Sequence, residues 1–83
     1  MEKILVNLFV PSVQEKYDIF VPSNLEIGVL VSVLANGVQD LCNGRYCQSE
    51  KEMLIRLSPD IVLNPHKTLS YYDIKDGARL VLI

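Results

Sequence analysis

The sequence has few residues of the kinds that do chemistry. Its 83 residues include one histidine and two cysteines. Cys42 and Cys47 are separated by four residues, and His66 lies nineteen positions beyond Cys47. A structural zinc site takes four nitrogen or sulfur ligands, so this set falls short and no metal is expected. There is no Gly-rich phosphate loop. Ser/His/Asp combinations can be drawn on paper, but no spacing singles one out, and His66 lacks a nearby carboxylate in sequence. Glu50 and Glu52 sit in a charged stretch where solvation is the ordinary explanation. Neither a catalytic residue nor a cofactor is therefore expected, and the chain does not read as an enzyme.

An excess of charge of one sign is also missing. Eight Lys/Arg stand against ten Asp/Glu, a net charge of −2, which gives no electrostatic reason to expect nucleic acid or anionic lipid as a partner. Long hydrophobic runs are absent too. The longest, Val29 to Ala35, is broken by Ser32 and is far too short to span a bilayer, so direct membrane insertion is not expected. Met1-Glu2-Lys3 followed by Ile4 to Leu8 lacks the small-residue cleavage site of a signal peptide. A cytoplasmic location with reduced thiols follows. Cys42 reads as a small buried hydrophobe at a helix end and Cys47 as a loop residue, although a disulfide across so short a loop is geometrically conceivable. No internal repeat, low-complexity segment or linker interrupts the chain, and residues 1–83 read as one domain.

What the chain does have is apolar side chains, 49% of the total. In a small domain, ~1.5 kcal/mol of ordering cost per residue nearly cancels ~25 cal/mol per Å² of buried apolar area. The core must therefore use most of those side chains, and a deep substrate cleft would be hard to hold open.

Their spacing orders the elements. Lys3 to Val10 alternates, with Ile4, Val6, Leu8 and Val10 inward and Leu5, Asn7 and Phe9 outward. Pro11-Ser12 ends this strand, and Ser12 to Lys16 reads as a hairpin turn. Tyr17 to Val21 is a second strand with Tyr17, Ile19 and Val21 inward and Asp18 and Phe20 outward, stopped by Pro22. Ser23 and Glu26 have capping-box spacing, with Asn24 an equally good cap. Ile27, Leu30, Val31, Leu34, Val38, Leu41 and Cys42 then follow the i, i+3, i+4, i+7 spacing of one helical face. Val29 and Val33 flank that stripe. Gly28 and Gly37 each weaken the helix by ~1 kcal/mol relative to alanine, so packing must hold it. Asn36-Gly37 could end it early, but the stripe continues to Cys42, and Asn43-Gly44 supplies a C-terminal stop.

Arg45 to Glu52 is a polar surface loop. Met53 to Leu57 returns to a strand pattern, expected with Met53, Ile55 and Leu57 inward and Leu54 and Arg56 outward. Ser58-Pro59-Asp60 turns the chain into a short strand, Ile61 to Leu63, ended by Asn64-Pro65. Thr68 to Ile74 is a helical turn. Asp76-Gly77 leads into a last strand, Ala78 to Ile83, with Leu80 and Leu82 inward and Arg79, Val81 and Ile83 outward.

Hairpin, helix, strand, short strand, helical turn and strand make an α+β chain, and one sheet packed on one helix is the economical two-layer solution. That order is the β-grasp arrangement. Thr68-Leu69-Ser70-x-Tyr72-x-Ile74 before an apolar final strand resembles the second half of ubiquitin, as does Val21-Pro22-Ser23 before the helix. More closely, Tyr17-Asp18-Ile19-Phe20-Val21-Pro22-x-x-Leu25-x-Ile27 and Leu69-x-x-Tyr72-x-Ile74-x-Asp76-Gly77-x-x-Leu80 resemble the small YukD/EsaB-type ubiquitin-like proteins of bacterial type VII (WXG-type) secretion systems. The resemblance covers nearly the whole chain, apart from a longer connection from Asn43 to Glu52.

The resemblance implies a mixed five-stranded sheet of order 2-1-5-3-4 packed on one main helix and a short helical turn. It implies that Tyr72 has a structural role, its hydroxyl bracing the loop at Asn64. It also implies protein partners, the cytosolic parts of a secretion machine's membrane components or its ATPase. Ubiquitin-type modifiers and sulfur carriers act through a flexible Gly-Gly tail, whereas this sequence ends Arg79-Leu80-Val81-Leu82-Ile83, so conjugation is not expected of the chain as it stands.

On such a sheet the outward set Leu5, Phe9, Phe20, Leu54, Val81 and Ile83, with Arg56 and Arg79 among them, falls on the solvent side. Clustered apolar residues there exceed what most monomers leave bare, and ubiquitin uses the same face for recognition. The expected function is a non-catalytic ubiquitin-like interaction module in type VII secretion. The alternatives are a carrier acting through its C-terminus and a homodimer built on the same sheet face.

Overall fold

The computed structural model describes residues 3–42, 51–57 and 60–83. The first strand, β1 (Lys3–Val10), buries every second residue, Ile4, Val6, Leu8 and Val10. Such a period of two places one row in the core and the other on the opposite face. At Pro11 the chain reverses through a turn closed by Val13 N–H to the Val10 carbonyl (3.2 Å) and Gln14 N–H to the Pro11 carbonyl (3.1 Å). Strand β2 (Glu15–Pro22) returns antiparallel, with Tyr17 opposite Leu8 and Val21 opposite Ile4. It is longer than Tyr17–Val21 at both ends, because Glu15 and Lys16 still pair with Val10 and Phe9. Pro22 is its last residue, a place where an edge strand tolerates proline.

Helix α1 (Ile27–Leu41) lays Ile27, Leu30, Val31, Leu34, Ala35 and Val38 on the sheet. Leu41, expected on that stripe, is instead 65% exposed. Cys42 takes the core position at the helix end as a free, buried thiol, its Sγ 3.1 Å from Tyr17 Oη. The N-terminus also differs from the expected capping. Glu26, rather than Ser23 or Asn24, is the N-cap, and it makes no side-chain cap hydrogen bond. The unpaired donors of the first turn are met by a distant loop, Ile27 N–H reaching the Lys67 carbonyl at 2.8 Å and Gly28 N–H the Pro65 carbonyl at 2.9 Å. Ser23 is buried and serves another element, its carbonyl accepting from both the N–H and the Oγ of Ser70 at 3.0 Å.

The remaining elements are β3 (Leu54–Arg56), β4 (Ile61–Val62), a 3-10 turn (Ser70–Tyr72) and β5 (Ala78–Leu82). Among the described residues the sheet has five strands in the order β2-β1-β5-β3-β4, with β5 parallel to β1 and antiparallel to β3. This is the β-grasp topology. Leu8, Leu54, Leu80 and Leu82 from the sheet meet Ile27 and Leu30 from the helix and Leu69 ahead of the 3-10 turn, all essentially inaccessible. Asp76 and Gly77 fasten the start of β5 to β1, Asp76 Oδ1 accepting Leu5 N–H and Gly77 N–H donating to the Leu5 carbonyl, both at 2.8 Å.

The facing of β3 is a correction. Leu54 is buried, 1% exposed, and pairs with Leu82, while Arg56 pairs with Leu80 on the same inner face. Met53, Ile55 and Leu57 belong to the opposite row. The expected outward positions of Leu54 and Arg56 are therefore reversed. The physical reason is that both rows carry apolar residues and the one polar mark, Arg56, stands on the inner row, so the facing comes from the neighbouring strands, and a shift of one residue exchanges the faces. Arginine accepts the inner rim because its long stem lies along apolar surface while its head reaches a polar group, here with Nη1 3.4 Å from the Tyr72 carbonyl.

Tyr72 Oη accepts the Asn64 N–H at 2.9 Å and ties the 3-10 turn to the loop after β4. Tyr72→Phe should cost about 1 kcal/mol, the net worth of one such bond, and lower the thermal midpoint by about 4–8 °C. A midpoint unchanged in a calorimetric scan would show that the bond adds nothing. The Asn43-Gly44 helix stop, the loop through Glu50, Cys47 and the Ser58-Pro59 turn lie outside the described residues.

Candidate functional site: the outer face of the sheet

Each strand turns one row of side chains away from the helix, and strand pairing places these rows side by side. Phe9 on β1 is opposite Val81 on β5, Val81 is opposite Ile55 on β3, and Ile55 is opposite Val62 on β4. With strands ~4.8 Å apart, this row runs about 14 Å across the sheet without a polar interruption. On one side of it, Met53 and Ile83 exchange backbone hydrogen bonds at 2.7 and 3.0 Å. On its other side runs a polar row. Asn7 Nδ2 donates to Asp18 Oδ1 at 2.9 Å, and Asn7 stands opposite Arg79. Leu57 follows, its N–H donating to the Arg79 carbonyl at 3.1 Å. A second apolar pair, Leu5 and Phe20, occupies the corner beyond. Lys16 Nζ lies 5.8 Å from the centroid of the Phe9 ring, so a cation closes the β2 end of the apolar row.

Of the residues singled out from the sequence, Leu5, Phe9, Phe20, Arg79, Val81 and Ile83 lie on this face. Leu54 and Arg56 do not, for the reason given above. Sequence reading missed Met53, Ile55, Leu57 and Val62, which replace them. Alternation could not find these four, because Met53-Leu54-Ile55 and Ile61-Val62-Leu63 are apolar at every position and Arg56, the polar mark beside Leu57, stands on the inner row. Phe20, Val62, Ile83 and Met53 are the most exposed apolar side chains of the face, Phe20 at 69% and Val62 at 58%. Arg79, also exposed, supplies a charge beside the apolar row.

The arrangement is suited to contact rather than to bond chemistry. It offers apolar area with an arginine and a lysine at its margins. Among the described residues, no group of three or more His, Cys, Asp or Glu could hold a metal ion. His66 is exposed in the turn after β4, where its N–H donates to Asn64 Oδ1 at 2.9 Å. No helix of the described residues is long and apolar enough to cross a membrane.

Solved structures share this architecture over the whole chain. The N-terminal ubiquitin-like domain of the 4931431F19Rik protein superposes with a TM-score of 0.75 at 18% identity, covering 98% of this chain and 73% of that one. This chain has the ubiquitin-like β-grasp fold. Two further ubiquitin-like domains are similar to it. That of the Mycobacterium tuberculosis type VII secretion system protein EccD1 has a TM-score of 0.65 at 16% identity, covering 100% of this chain and 99% of that one. That of EccD5 from Mycobacterium xenopi has a TM-score of 0.70 at 17% identity, covering 100% and 94%. At such identities the likeness carries the ubiquitin-like fold and nothing finer. No protein-family model matches the chain, and no curated protein matches it in sequence.

Proposed function

We propose that residues 1–83 form a single non-catalytic ubiquitin-like module that binds other proteins through the outer face of its sheet. The observation that carries this reading is the unbroken row Phe9–Val81–Ile55–Val62, four strands wide. Burying such a row against a partner yields ~25 cal/mol per Å² of apolar area, and Arg79 and Lys16 at its margins orient the contact. Within this reading the protein is a cytoplasmic accessory component of a type VII secretion apparatus, and its partners are the cytosolic parts of that machine's membrane proteins or its ATPase. Two lines support the pathway: the residue patterns around Tyr17–Ile27 and Leu69–Leu80, and the EccD1 and EccD5 ubiquitin-like domains that share the fold.

The test pairs the purified protein with purified cytosolic portions of those secretion components from the same genome. Val62→Asp combined with Arg79→Glu should weaken complex formation about thirtyfold, the scale of one interface hot spot. Both side chains are exposed, so the thermal midpoint should stay within a few degrees. Full binding by the double variant would remove the outer face from the mechanism. Covalent adducts through the carboxyl end, found by mass spectrometry of cell extracts, would replace the module reading with that of a carrier.

A further inference from the structure

Helix α1 is apolar on two sides. One side, Ile27, Leu30, Val31, Leu34, Ala35 and Val38, lies on the sheet. On the other, Val29, Val33 and Leu41 are 50%, 56% and 65% exposed. Together with Gly37 they stand four residues apart and form one ridge along the helix surface. Asp40 is the only charged residue of the helix. A surface helix ordinarily turns charged residues to water, and one that is apolar nearly all round is ordinarily buried. Charges on the neighbouring strands point the other way. Lys3 stands in the outward row of β1, and Lys16 and Asp18 of β2 turn to the outer face of the sheet, against Phe9 and Asn7.

The ridge has a notch. At Gly37 a Cβ would meet nothing within 4 Å, so the helix surface there is bare backbone, with the exposed Val33 and Leu41 one turn to either side. Glycine is a poor residue for a helix interior, and here it lets a second backbone come close. Such a surface is complementary to itself. Two ridges of this kind pack into each other's grooves with the helices crossing at about 50° and about 8–10 Å apart. With Gly37 at the crossing of an antiparallel pair, Val33 of each helix meets Leu41 of the other. Charge selects that direction. Parallel helices would bring Asp40 beside its counterpart and align the two dipoles, whereas antiparallel helices separate the carboxylates and oppose the dipoles.

We infer that α1 pairs with α1 of a second copy of this chain, antiparallel and crossing at Gly37. The contact is two-fold symmetric, so each copy contributes the same surface. One helix ridge covers less than the ~800 Å² per partner of a standard interface, so the dimer is weak, with a dissociation constant of about 100 µM. The pairing leaves the outer face of each sheet open, because that face lies on the side of the sheet away from the helix. A dimer built on α1 therefore presents two such faces at once, and a partner with two matching sites binds it with avidity. The dimer itself does not depend on the function proposed above.

Sedimentation equilibrium of the full chain from about 20 µM to about 1 mM, a range that brackets the expected dissociation constant, should show a reversible monomer–dimer equilibrium. Over the same range, amide NMR shifts of the isotope-labelled protein should move at Val29, Val33, Gly37 and Leu41 and stay fixed at Ile55 and Val81. Val33→Glu sets a carboxylate beside Leu41 and Asp40 of the other copy and should weaken dimerisation about tenfold. Gly37→Gln places a longer side chain at the crossing and is a better helix former. It should also weaken dimerisation about tenfold, while the thermal midpoint of the dilute protein does not fall. Val62→Asp, on the outer face, should leave the dimer unchanged. A monomer throughout that range, concentration-dependent shifts centred on Ile55 and Val81, or an unchanged dissociation constant in either α1 variant would each overturn the inference.

Discussion

Leu54→Ala should cost about 3 kcal/mol of folding stability, within the range of about 2–5 kcal/mol for removing a fully buried leucine. Met53→Ala and Leu57→Ala, one position to either side of the Leu54–Arg56 strand's own row, should each cost less than about 1 kcal/mol, as partly exposed side chains do. The contrast follows from the facing of β3. Leu54 is 1% exposed, stands opposite Leu82, and its carbonyl accepts the Leu63 N–H at 2.9 Å, so its side chain is enclosed by three strands' worth of core. Truncating it leaves a cavity that rigid neighbours cannot close. In a domain of this size the loss corresponds to a fall in thermal midpoint of about 12–24 °C. Thermal and denaturant unfolding of the three variants would measure it. Should Met53→Ala and Leu57→Ala prove the damaging pair, β3 would face the other way, and the outer row through Ile55 would not exist.

The two helix glycines should respond to alanine with opposite signs. By propensity alone both substitutions gain about 1 kcal/mol. At Gly37 nothing opposes that gain, because a Cβ there meets open space, so Gly37→Ala should stabilise by about 0.5–1 kcal/mol. At Gly28 the new Cβ would stand 3.2 Å from the Pro65 carbonyl oxygen and 3.3 Å from the Pro65 Cβ. Pro65 cannot yield easily, since its ring fixes its backbone and its carbonyl holds the Gly28 N–H at 2.9 Å. Moving it stretches that bond and the neighbouring one from Ile27 to Lys67, which together cap the helix. Gly28→Ala should therefore lose about 1–2 kcal/mol despite its better propensity. Urea midpoints of the two variants should move in opposite directions. A rise at both positions would mean that the loop shifts freely and that the helix N-terminus does not depend on it.

These two results mark where the sequence could be read and where it could not. Alternation along β1 was legible because Asn7 stands at the centre of one row and only apolar residues fill the other. The helix stripe was legible from Ile27 to Val38 for the equivalent reason at a period of 3.6. At Leu41 the stripe misled, since helical spacing continues past the point where core space ends, and Cys42 took the place that Leu41 was expected to share. The capping residues were misjudged because local pattern cannot show that a loop some forty positions later supplies the acceptors. In the candidate site, the β1, β2 and β5 members followed from alternation, whereas the β3 and β4 members depended on pairings that alternation does not show, since the one polar residue of β3, Arg56, stands on the inner row.

The sequence by itself determined the element order, and with it the ubiquitin-like β-grasp fold, because period-two and period-3.6 patterns are local properties that each segment carries alone. It also determined that β1, β5 and the residue after β5 turn Leu5, Phe9, Arg79, Val81 and Ile83 away from the helix. Only the tertiary structure decided which row of β3 is core and that Pro65 and Lys67 cap the helix. Each of these is a contact between segments distant in the chain, and burial in the shared core, not local preference, selects among the facings that a uniformly apolar stretch allows.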